Sequence, residues 1–197
     1  MHNTKRIVVA ITGATGVIYG VTLLEQLEHL GIETHLIISR WAARTLELEM
    51  DIDPQQIAKK ASVLHQEDNL AAPVSSGSFQ HDGMVVCPCS MKTLASISHG
   101  FGDNLITRAA DVTIKEQRKL VLVPRETPLS PIHLENMLKL ARLNVTIMPP
   151  AIGFYQHPDS LQHAVQQFTG RIMDMLNIPN DLVNRWGEEQ LRIKNEE

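Results

Sequence analysis

The stretch RIVVAITGATG, residues 6–16, joins a nearly all-apolar segment to a short loop of glycine, alanine and threonine. Such an apolar run is typical of a strand that is covered on both faces, as in a parallel sheet. After the loop, apolar residues repeat at helical spacing from Val17 to Leu30, and Gly31 is suited to end that helix. The stretch therefore predicts a buried strand, a tight turn and a helix.

The alternation of strand-like and helical segments continues along the chain. Four further strands are predicted at Thr34–Ile38, Met84–Cys87, Leu120–Val123 and Val145–Met148. A helix begins at the signal Asp53-Pro54 and is expected to reach about Ser62, and residues 66–82 are expected to form a loop. Alternation at this spacing is typical of parallel βαβ units with right-handed crossovers.

These elements predict an α/β fold with three layers, a doubly wound and mainly parallel sheet of the Rossmann or flavodoxin-like type. The sequence holds no internal repeat, low-complexity segment or linker. We therefore expect a single domain over residues 1–197, with a polar C-terminal tail from about residue 177. In such a sheet, ligands bind beyond the carboxyl ends of the strands, near a switch in strand order. The loops that follow the strands are therefore the candidate site.

The composition of the 197 residues argues against several classes of function. The 18 Lys and Arg against 22 Asp and Glu give a net charge of −4, and only two Trp, two Tyr and four Phe are present. These numbers disfavour a nucleic-acid partner, an anionic membrane surface and a stacking platform of aromatic residues. No apolar run approaches the roughly 20 residues that span a bilayer, and residues 1–6 show no apolar signal segment.

Two cysteines, Cys87 and Cys89, lie two positions apart and should share one face of a strand. No second cysteine pair and no spaced histidine pair accompanies them in the sequence. Buried or site-lining thiols are therefore favoured over a metal site, and no metal is expected. Two free thiols are typical of a reducing compartment, so the cytoplasm is the expected location.

The loop at residues 12–16 is the first candidate site. Its glycines let the backbone approach a ligand, Thr12 and Thr15 add hydroxyl groups, and the following helix offers free N–H groups to an anion. The pattern GxGxxG is absent, and so is an acidic residue at the end of the second strand. These features disfavour a dinucleotide and allow a mononucleotide, while a tight turn without a ligand stays the alternative.

Two more loops follow strands and carry polar residues. Ser90 opens a helix directly after a strand, which suits an anion or a ribityl chain, and an N-cap alone is the alternative. Arg125 and Glu126 lie just past the fourth strand, where an ion pair is costly to bury unless it has a partner or a function. Arg125 could bind an anionic or flavin oxygen and Glu126 could move protons, and a surface loop is the alternative.

Five separate polar residues complete the candidates. Tyr155 offers a hydroxyl on a rigid apolar segment, and Arg171 lies in an otherwise apolar helix, where an arginine that reaches water is the plainer interpretation. Glu49 ends a helix, where the dipole disfavours a carboxylate, so it is either solvated or functional. Arg108 and Lys115 lie seven positions apart on one helical face, for which a solvated face is the alternative.

Taken in order, these loops resemble the flavin prenyltransferase family, the UbiX type, which includes small subunits associated with phenolic-acid decarboxylases. The resemblance covers residues 6–186, and its longest motif runs from Val123 to Met137. Its other motifs are Ile11–Gly16, Glu49, Ser76–Ser78, Cys87–Ser90, Arg108–Val112, Lys115–Glu116, Pro149–Pro150 and Gly153–Tyr155. Met91-Lys92 resembles the subgroup that is linked to hydroxyaryl-acid decarboxylases.

This resemblance implies an activity. Members of the family transfer a dimethylallyl group from dimethylallyl phosphate to reduced FMN, without a metal, and the product, prenylated FMN, serves a partner decarboxylase. They assemble as homododecamers whose active sites lie between subunits. The alternative is a noncatalytic FMN-binding accessory subunit of a hydroxyaryl-acid decarboxylase, which would not need Glu126, Tyr155 and Arg171 together. A flavin-dependent cysteine decarboxylase of the same fold would carry a Pro-x-Met-Asn loop, which this sequence lacks.

The resemblance also implies roles for single residues. FMN is expected to contact Gly13, Ala14, Thr15, Ser39, Ser90, Met91, Lys92, Thr93 and Arg125. The prenyl phosphate is expected to contact Tyr155, Arg171, Lys115 and Arg108, and, from a neighbouring subunit, Ser76, Gly77 and Ser78. Three residues are expected to take part in catalysis: Glu126 in proton transfer to the leaving phosphate, Glu49 as acid or base near the flavin, and Lys115.

Overall fold

The first strand and helix form where the opening stretch predicts them. In the computed structural model, which describes residues 5–187, β1 (Arg6–Ile11) is followed by α1 (Val17–His29). Gly16 precedes the helix with a φ of 91°, and Gly31 turns the chain after it with a φ of 65°. Both values lie in the left-handed region that favours glycine. All of β1 after its first residue is buried, as expected for a strand covered on both faces.

The remaining elements alternate in the same way. The other strands are β2 (Glu33–Ile38), β3 (Val63–His65), β4 (Gly83–Cys89), β5 (Lys119–Pro124) and β6 (Thr146–Ile147). The other helices are α2 (Arg40–Met50), α3 (Pro54–Ala58), α4 (Met91–Ser98), α5 (Leu105–Lys115), α6 (Pro131–Ala141) and α7 (Leu161–Met175). The side chains of Asp53 and Ser90 each accept a hydrogen bond from the first turn of the helix that follows, so both are N-caps.

Within the described residues, the six strands are all parallel and lie in the order β3-β2-β1-β4-β5-β6. The chain runs outward from β1 to β3 and then crosses to β4 on the other side of β1. The strand order therefore switches between β1 and β4, where Val9 pairs with Leu36 of β2 and with Val85 of β4. The predicted doubly wound parallel sheet is confirmed, and its switch lies at the carboxyl ends of β1 and β4.

Helices cover both faces of the sheet and give the fold its three layers. Ile7, Val9 and Ile11 face a core shared with α1, α2 and α7, whereas Val8 and Ala10 face a core shared with α4, α5 and α6. Because successive side chains enter two different apolar cores, β1 is apolar throughout and not only at every second position. Full burial of a large apolar side chain is worth roughly 1.5–3 kcal/mol, so the sheet is a stable platform for the loops at its edge.

One strand of the sheet is not predicted from the sequence. β3 falls between the predicted helix and the loop predicted at 66–82. Its residues Val63 and Leu64 are exposed and only His65 is buried, so no apolar pattern marks this edge strand. The helix before it, α3, stops earlier than predicted, and β6 is shorter than the predicted strand.

The expectation that Cys87 and Cys89 share one face is wrong. Cys87 lies in the core with α1 and α7, whereas Cys89 lies in the core with α4 and α5. The pairing register between β4 and β5 shifts between Val86 and Cys89, which interrupts the usual alternation of side chains. Both thiols are free, and burial raises the pKa of each well above its usual value.

The end of the described chain packs against α7. Ile178 is buried in the core, and Nδ2 of Asn180 donates to the backbone oxygen of Gly170 over 3.1 Å. Residues 177–187 of the predicted polar tail therefore contact the last helix, and residues 188–197 lie outside the described part of the chain. A single domain over the whole chain stays a prediction. Among residues 5–187, no helix is long and apolar enough to cross a membrane.

Candidate active site

The loops after β1 and β4 are joined through one buried side chain. Thr12 is 2% exposed, and its hydroxyl donates to the backbone oxygen of Pro88 over 2.8 Å while it accepts from the backbone nitrogen of Ser90 over 2.8 Å. The backbone nitrogen of Thr12 also donates to the oxygen of Pro88 over 3.2 Å. The two loops therefore form one unit at the strand-order switch, where this class of sheet binds its ligands.

The rest of the first loop is open to a ligand. Gly13 and Thr15 are exposed and Ala14 is half-buried. A Cβ atom at Gly13 would lie 2.4 Å from the Cβ atom of Trp41, so the loop approaches the start of α2 too closely for any residue but glycine. Ser39 caps α2 at the same edge, and its backbone nitrogen donates to the last residue of β1 over 3.0 Å. Backbone and hydroxyl groups therefore meet on one surface.

Glu49 lies near the other end of α2 and reaches the start of α1. Its Oε2 atom accepts from the backbone nitrogen atoms of Gly16 over 2.8 Å and of Val17 over 3.2 Å. The positive end of the α1 dipole therefore stabilises a carboxylate that the dipole of its own helix disfavours. The expectation that the first N–H groups of α1 are free for an external anion is wrong, because Glu49 occupies two of them.

The segment from Ser90 to Thr93 forms the start of α4. Ser90 accepts through Oγ from the backbone nitrogen of Thr93 over 3.3 Å, while Lys92 is exposed and Met91 packs half-buried against the core. Lys92 and Ser39 line an open cleft of about 640 Å³ at the carboxyl ends of β2 and β3. This volume lies in the range of small-molecule sites, so two of the predicted FMN contacts share a cleft of suitable size.

Arg125 and Glu126 lie beside the second loop. The backbone nitrogen of Arg125 donates to the oxygen of Cys89 over 3.4 Å, which places this pair next to Ser90 at the carboxyl edge. Both side chains are exposed, so the expected cost of burying an ion pair does not arise. The Oε1 atom of Glu126 accepts from the backbone nitrogen of Thr127 over 3.1 Å. Both charged groups are therefore accessible to a ligand at the switch.

Tyr155 and Arg171 share a smaller cleft of about 260 Å³ that follows β6. Its apolar wall is formed by Met148, Pro149, Ile152 and Phe168. The ring of Tyr155 packs edge-on against the ring of Trp186, with centroids 5.3 Å apart and an interplanar angle of 88°. Nη1 of Arg171 donates to Oδ2 of Asp174 over 2.7 Å, so Arg171 is held by a carboxylate as well as by water. A hydroxyl and a guanidinium group therefore meet at an apolar cleft.

Arg108, Lys115 and the loop Ser76–Ser78 form a third group. Nε of Arg108 donates to the backbone oxygen of Ser75 over 3.2 Å, and a Cβ atom at Gly77 would lie 2.8 Å from Nζ of Lys115. The two basic residues share one face of α5, as predicted, but that face contacts the loop. The loop leads into β4 and Lys115 ends the helix before β5, so the group lies toward the amino edge of the sheet. Within one chain, the structure does not bring this group to the switch.

Comparison with known proteins identifies the family. A family model described as Flavoprotein matches residues 1–175 of this chain. The flavin prenyltransferase PAD1, mitochondrial, of Saccharomyces cerevisiae is 57% identical over 182 residues, which cover 92% of this chain and 75% of that protein. The chain belongs to the flavin prenyltransferase family.

Two solved structures share the fold of this flavin prenyltransferase. AnUbiX (PadA1), in complex with FMN and dimethylallyl pyrophosphate, is 49% identical with a TM-score of 0.92, over 93% of this chain and 98% of that one. A dodecameric FMN-dependent UbiX-like decarboxylase from Escherichia coli O157:H7 is 48% identical with a TM-score of 0.90, over 92% of this chain and 98% of that one. The predicted resemblance is confirmed, and a prenyltransferase is supported over a noncatalytic accessory subunit.

Three residues at the clefts of this flavin prenyltransferase are not predicted from the sequence. Trp41 contacts Gly13, Trp186 contacts Tyr155, and Gln167 lines the smaller cleft while it is 3% exposed. Oε1 of Gln167 has no hydrogen-bond partner among the described residues. Two signals could have indicated these residues: both are tryptophans in a chain with few aromatic residues, or, for Gln167, a polar residue on the apolar face of a helix.

Proposed function

We propose that this chain transfers a dimethylallyl group from dimethylallyl phosphate to reduced FMN and releases prenylated FMN to a partner decarboxylase. The observation that carries the proposal is the joining of two loops through Thr12 at the strand-order switch. The family supports the same reaction, and the relative AnUbiX is described in complex with FMN and dimethylallyl pyrophosphate.

The residues at the switch fit a flavin mononucleotide. The close approach of Gly13 to Trp41 keeps the loop free of a side chain where a ligand meets the backbone. Hydroxyl groups at the starts of helices suit a ribityl chain and a phosphate, and β2 ends without the acidic residue that selects a dinucleotide. We assign the FMN contacts to Gly13, Ala14, Thr15, Ser39, Ser90, Met91, Lys92, Thr93 and Arg125. Bound there, reduced FMN would supply the ring atoms N5 and C6 that receive the prenyl group.

Tyr155 and Arg171 are proposed to hold the prenyl phosphate in the smaller cleft. The apolar wall of this cleft would take the dimethylallyl group, while the guanidinium group binds two phosphate oxygens at once. Neutralisation of the phosphate charge makes it a better leaving group as its C–O bond breaks. The cleft therefore suits both halves of the donor.

Two carboxylates are proposed to move protons. Glu126 is exposed at the carboxyl edge, so it is accessible to the leaving phosphate. Glu49 is held beside the first loop by two N–H groups of α1, so it can accept or return a flavin proton near the bound ring. The two groups lie on different loops, which suits separate roles in the same reaction.

We propose that the protein is a homododecamer in which Arg108, Lys115 and Ser76–Ser78 of one subunit complete the prenyl phosphate site of the next. In one chain this group lies toward the amino edge of the sheet, apart from the smaller cleft. The apolar side chains exposed on α6 include Ile132, Leu134 and Leu138. Such a surface favours subunit contacts, and the relative from Escherichia coli O157:H7 is described as dodecameric.

Mixed oligomers test the shared site. Subunits with Lys115→Ala and subunits with Arg171→Ala should each be nearly inactive. Co-expressed mixtures should recover activity, because some sites then receive both native residues from different subunits. Light scattering should give the mass of a dodecamer. Absence of any recovery in mixed oligomers would contradict the shared site.

Anaerobic incubation tests the reaction itself. The purified protein, reduced FMN and dimethylallyl phosphate should give a flavin that is heavier by one prenyl unit in mass spectrometry. An unchanged flavin mass together with retained FMN binding would reject the enzyme and favour the accessory subunit.

The compartment and the partner are proposals as well. The two free thiols, Cys87 and Cys89, support a reducing compartment, and we propose the cytoplasm. The yeast relative is named as mitochondrial, so cell fractionation should distinguish the two locations. The pair Met91-Lys92 supports a hydroxyaryl-acid decarboxylase as partner. Co-expression with candidate decarboxylases should activate that class, and activation of other classes alone would contradict this assignment.

A further inference from the structure

Asp174 of α7 binds two arginines at the edge of the smaller cleft. Arg171 donates to Oδ2 over 2.7 Å, and Arg185 donates to Oδ2 over 3.2 Å and to Oδ1 over 3.0 Å. Because both guanidinium groups bond to the same carboxylate oxygen, the donating nitrogen atoms are at most about 6 Å apart. The side chains of Arg171 and Arg185 are 47% and 37% exposed, so both can also reach a ligand.

The position of Arg185 is fixed by the packing of the segment that carries it. Nδ2 of Asn180 donates to the backbone oxygen of Gly170 over 3.1 Å and to Oδ1 of Asp174 over 3.0 Å. A Cβ atom at Gly170 would lie 2.5 Å from Cγ2 of Val183, so the segment crosses α7 where only glycine leaves room. Arg185 is therefore held beside the cleft by contacts that do not involve its own charge.

The cluster carries an unbalanced positive charge. Burial of Asp174 alone would raise the pKa of its carboxyl group, but hydrogen bonds and charges from Arg185, Asn180 and Arg171 outweigh burial and lower that pKa. An ionised carboxylate therefore faces two guanidinium groups, and one positive charge remains uncompensated at the edge of the cleft. Such an excess favours an anion with more than one charge.

We propose that Arg185 is a second phosphate-binding residue, which enables the cleft to take the diphosphate of a prenyl donor as well as the monophosphate. This inference rests on the proposed function. Arg171 binds the phosphate next to the prenyl group, and Arg185 binds the terminal phosphate. The five N–H donors of a guanidinium group allow each arginine to keep its bond to Asp174 while it binds phosphate.

The reaction with a diphosphate is balanced in the same way as with a monophosphate. The C–O bond of the donor breaks, and its electron pair leaves with the inorganic diphosphate. The new bond to carbon replaces an N–H or C–H bond of the reduced flavin, and the carboxylates of the site accept the proton. Arg185 stabilises the charge that accumulates on the terminal phosphate as the bond breaks.

Kinetics with the two donors test the proposal. Arg185→Met should raise KM for dimethylallyl diphosphate about tenfold or more, because a charge-assisted hydrogen bond to the terminal phosphate is lost. KM for the monophosphate should rise less than about twofold, since that donor has no terminal phosphate to lose. Arg44→Met is a matched control, because Arg44 is an exposed arginine that also pairs with a carboxylate, that of Glu47. Both KM values should stay unchanged in the control.

An equal rise of both KM values in Arg185→Met would overturn the proposal, because a residue that only ties its segment to α7 affects both donors alike. Arg185→Lys serves where the methionine variant does not fold. Calorimetry should show that the wild type binds inorganic pyrophosphate more tightly than inorganic phosphate, and that Arg185→Lys narrows the difference. Equal affinities in the wild type would also overturn the proposal. Transfer from neither donor would refute the proposed function instead, while the pyrophosphate titration would still decide the role of Arg185.

Discussion

At the strand-order switch, the buried side chain of Thr12 joins two loops through backbone partners, whereas in the smaller cleft the exposed side chains of Tyr155 and Arg171 are positioned by other side chains. The flavin side of the site is therefore fixed by the backbone, and the donor side depends on ion pairs and ring contacts. Substitutions on the donor side should change catalysis with little effect on stability. Substitutions on the flavin side should change stability and FMN binding together.

The largest effect on catalysis is expected for Glu126→Gln. The variant should keep its FMN affinity, because Glu126 is exposed and bonds to the neighbouring backbone nitrogen of Thr127. Its kcat should fall about 1000-fold, since the amide cannot supply a proton to the leaving phosphate. Single-turnover kinetics with FMN titrations would measure both quantities. Glu135→Gln, an exposed change on α6, is the control, and full activity in Glu126→Gln would remove Glu126 from the mechanism.

A smaller loss is expected for Arg171→Met. The value of kcat/KM for dimethylallyl phosphate should fall about 100-fold, because a bidentate charged contact with the phosphate is lost. The free energy of unfolding should change by less than about 1 kcal/mol, since Arg171 is half-exposed and its ion pair with Asp174 is only partly buried. Steady-state kinetics and urea titration measure the two effects. Equal losses of FMN affinity and donor affinity would break the division between the two sides.

On the flavin side, Thr12→Val should act mainly on stability. The change leaves the oxygen of Pro88 and the nitrogen of Ser90 without the hydroxyl partner, so the free energy of unfolding should fall by about 1–3 kcal/mol. FMN affinity should fall with it, as measured by flavin fluorescence. The half-buried Thr45 bonds within its own helix, to the oxygen of Trp41, and Thr45→Val should cost less than about 0.5 kcal/mol. Similar costs in the two variants would contradict the role given to Thr12.

The smallest effect is expected in acid, on the donor side. The pKa of Asp174 is lowered in the folded state, so its ionised form contributes stability above its unfolded pKa of roughly 4, and this contribution is lost as the pH falls through the folded pKa. The loss should be below about 1 kcal/mol, because the arginine partners are partly exposed. In a Trp41→Phe background, the fluorescence of Trp186 should change in this pH range, and Asp174→Asn should show the acid spectrum at neutral pH. A spectrum of Trp186 that is constant down to about pH 3 would contradict this expectation.

Local patterns explain which parts of the fold could be predicted. The apolar run of β1, the loop at 12–16 and the N-cap Ser90 depend on neighbours in sequence, and all form as expected. β3 has two exposed residues out of three and is stabilised by its pairing with β2, so the sequence carries no signal for it. The faces of Cys87 and Cys89 depend on the register between β4 and β5, which is a contact between distant segments.

The site was predicted less completely, because its contacts join distant residues. The partners of Thr12 lie 76 and 78 positions away, and Glu49 bonds to residues 32 and 33 positions away, so no spacing rule reveals them. The pair of Arg171 with Asp174 follows the helical spacing of three and could have been expected. Arg185 joins the same carboxylate from 11 positions away, through a segment whose path depends on Gly170. Roles in FMN and phosphate binding came from the family motifs, which carry information that spacing lacks.

The separate placement of Cys87 and Cys89 gives this protein a built-in pair of reporters. Each thiol is buried in a different helical layer, and its raised pKa leaves almost no thiolate to react with an alkylating reagent. Alkylation of Cys87 therefore requires the layer of α1 and α7 to open, and alkylation of Cys89 requires the layer of α4 and α5 to open. Mass spectrometry of the two peptides would time the opening of each layer separately, without any added label in the sequence.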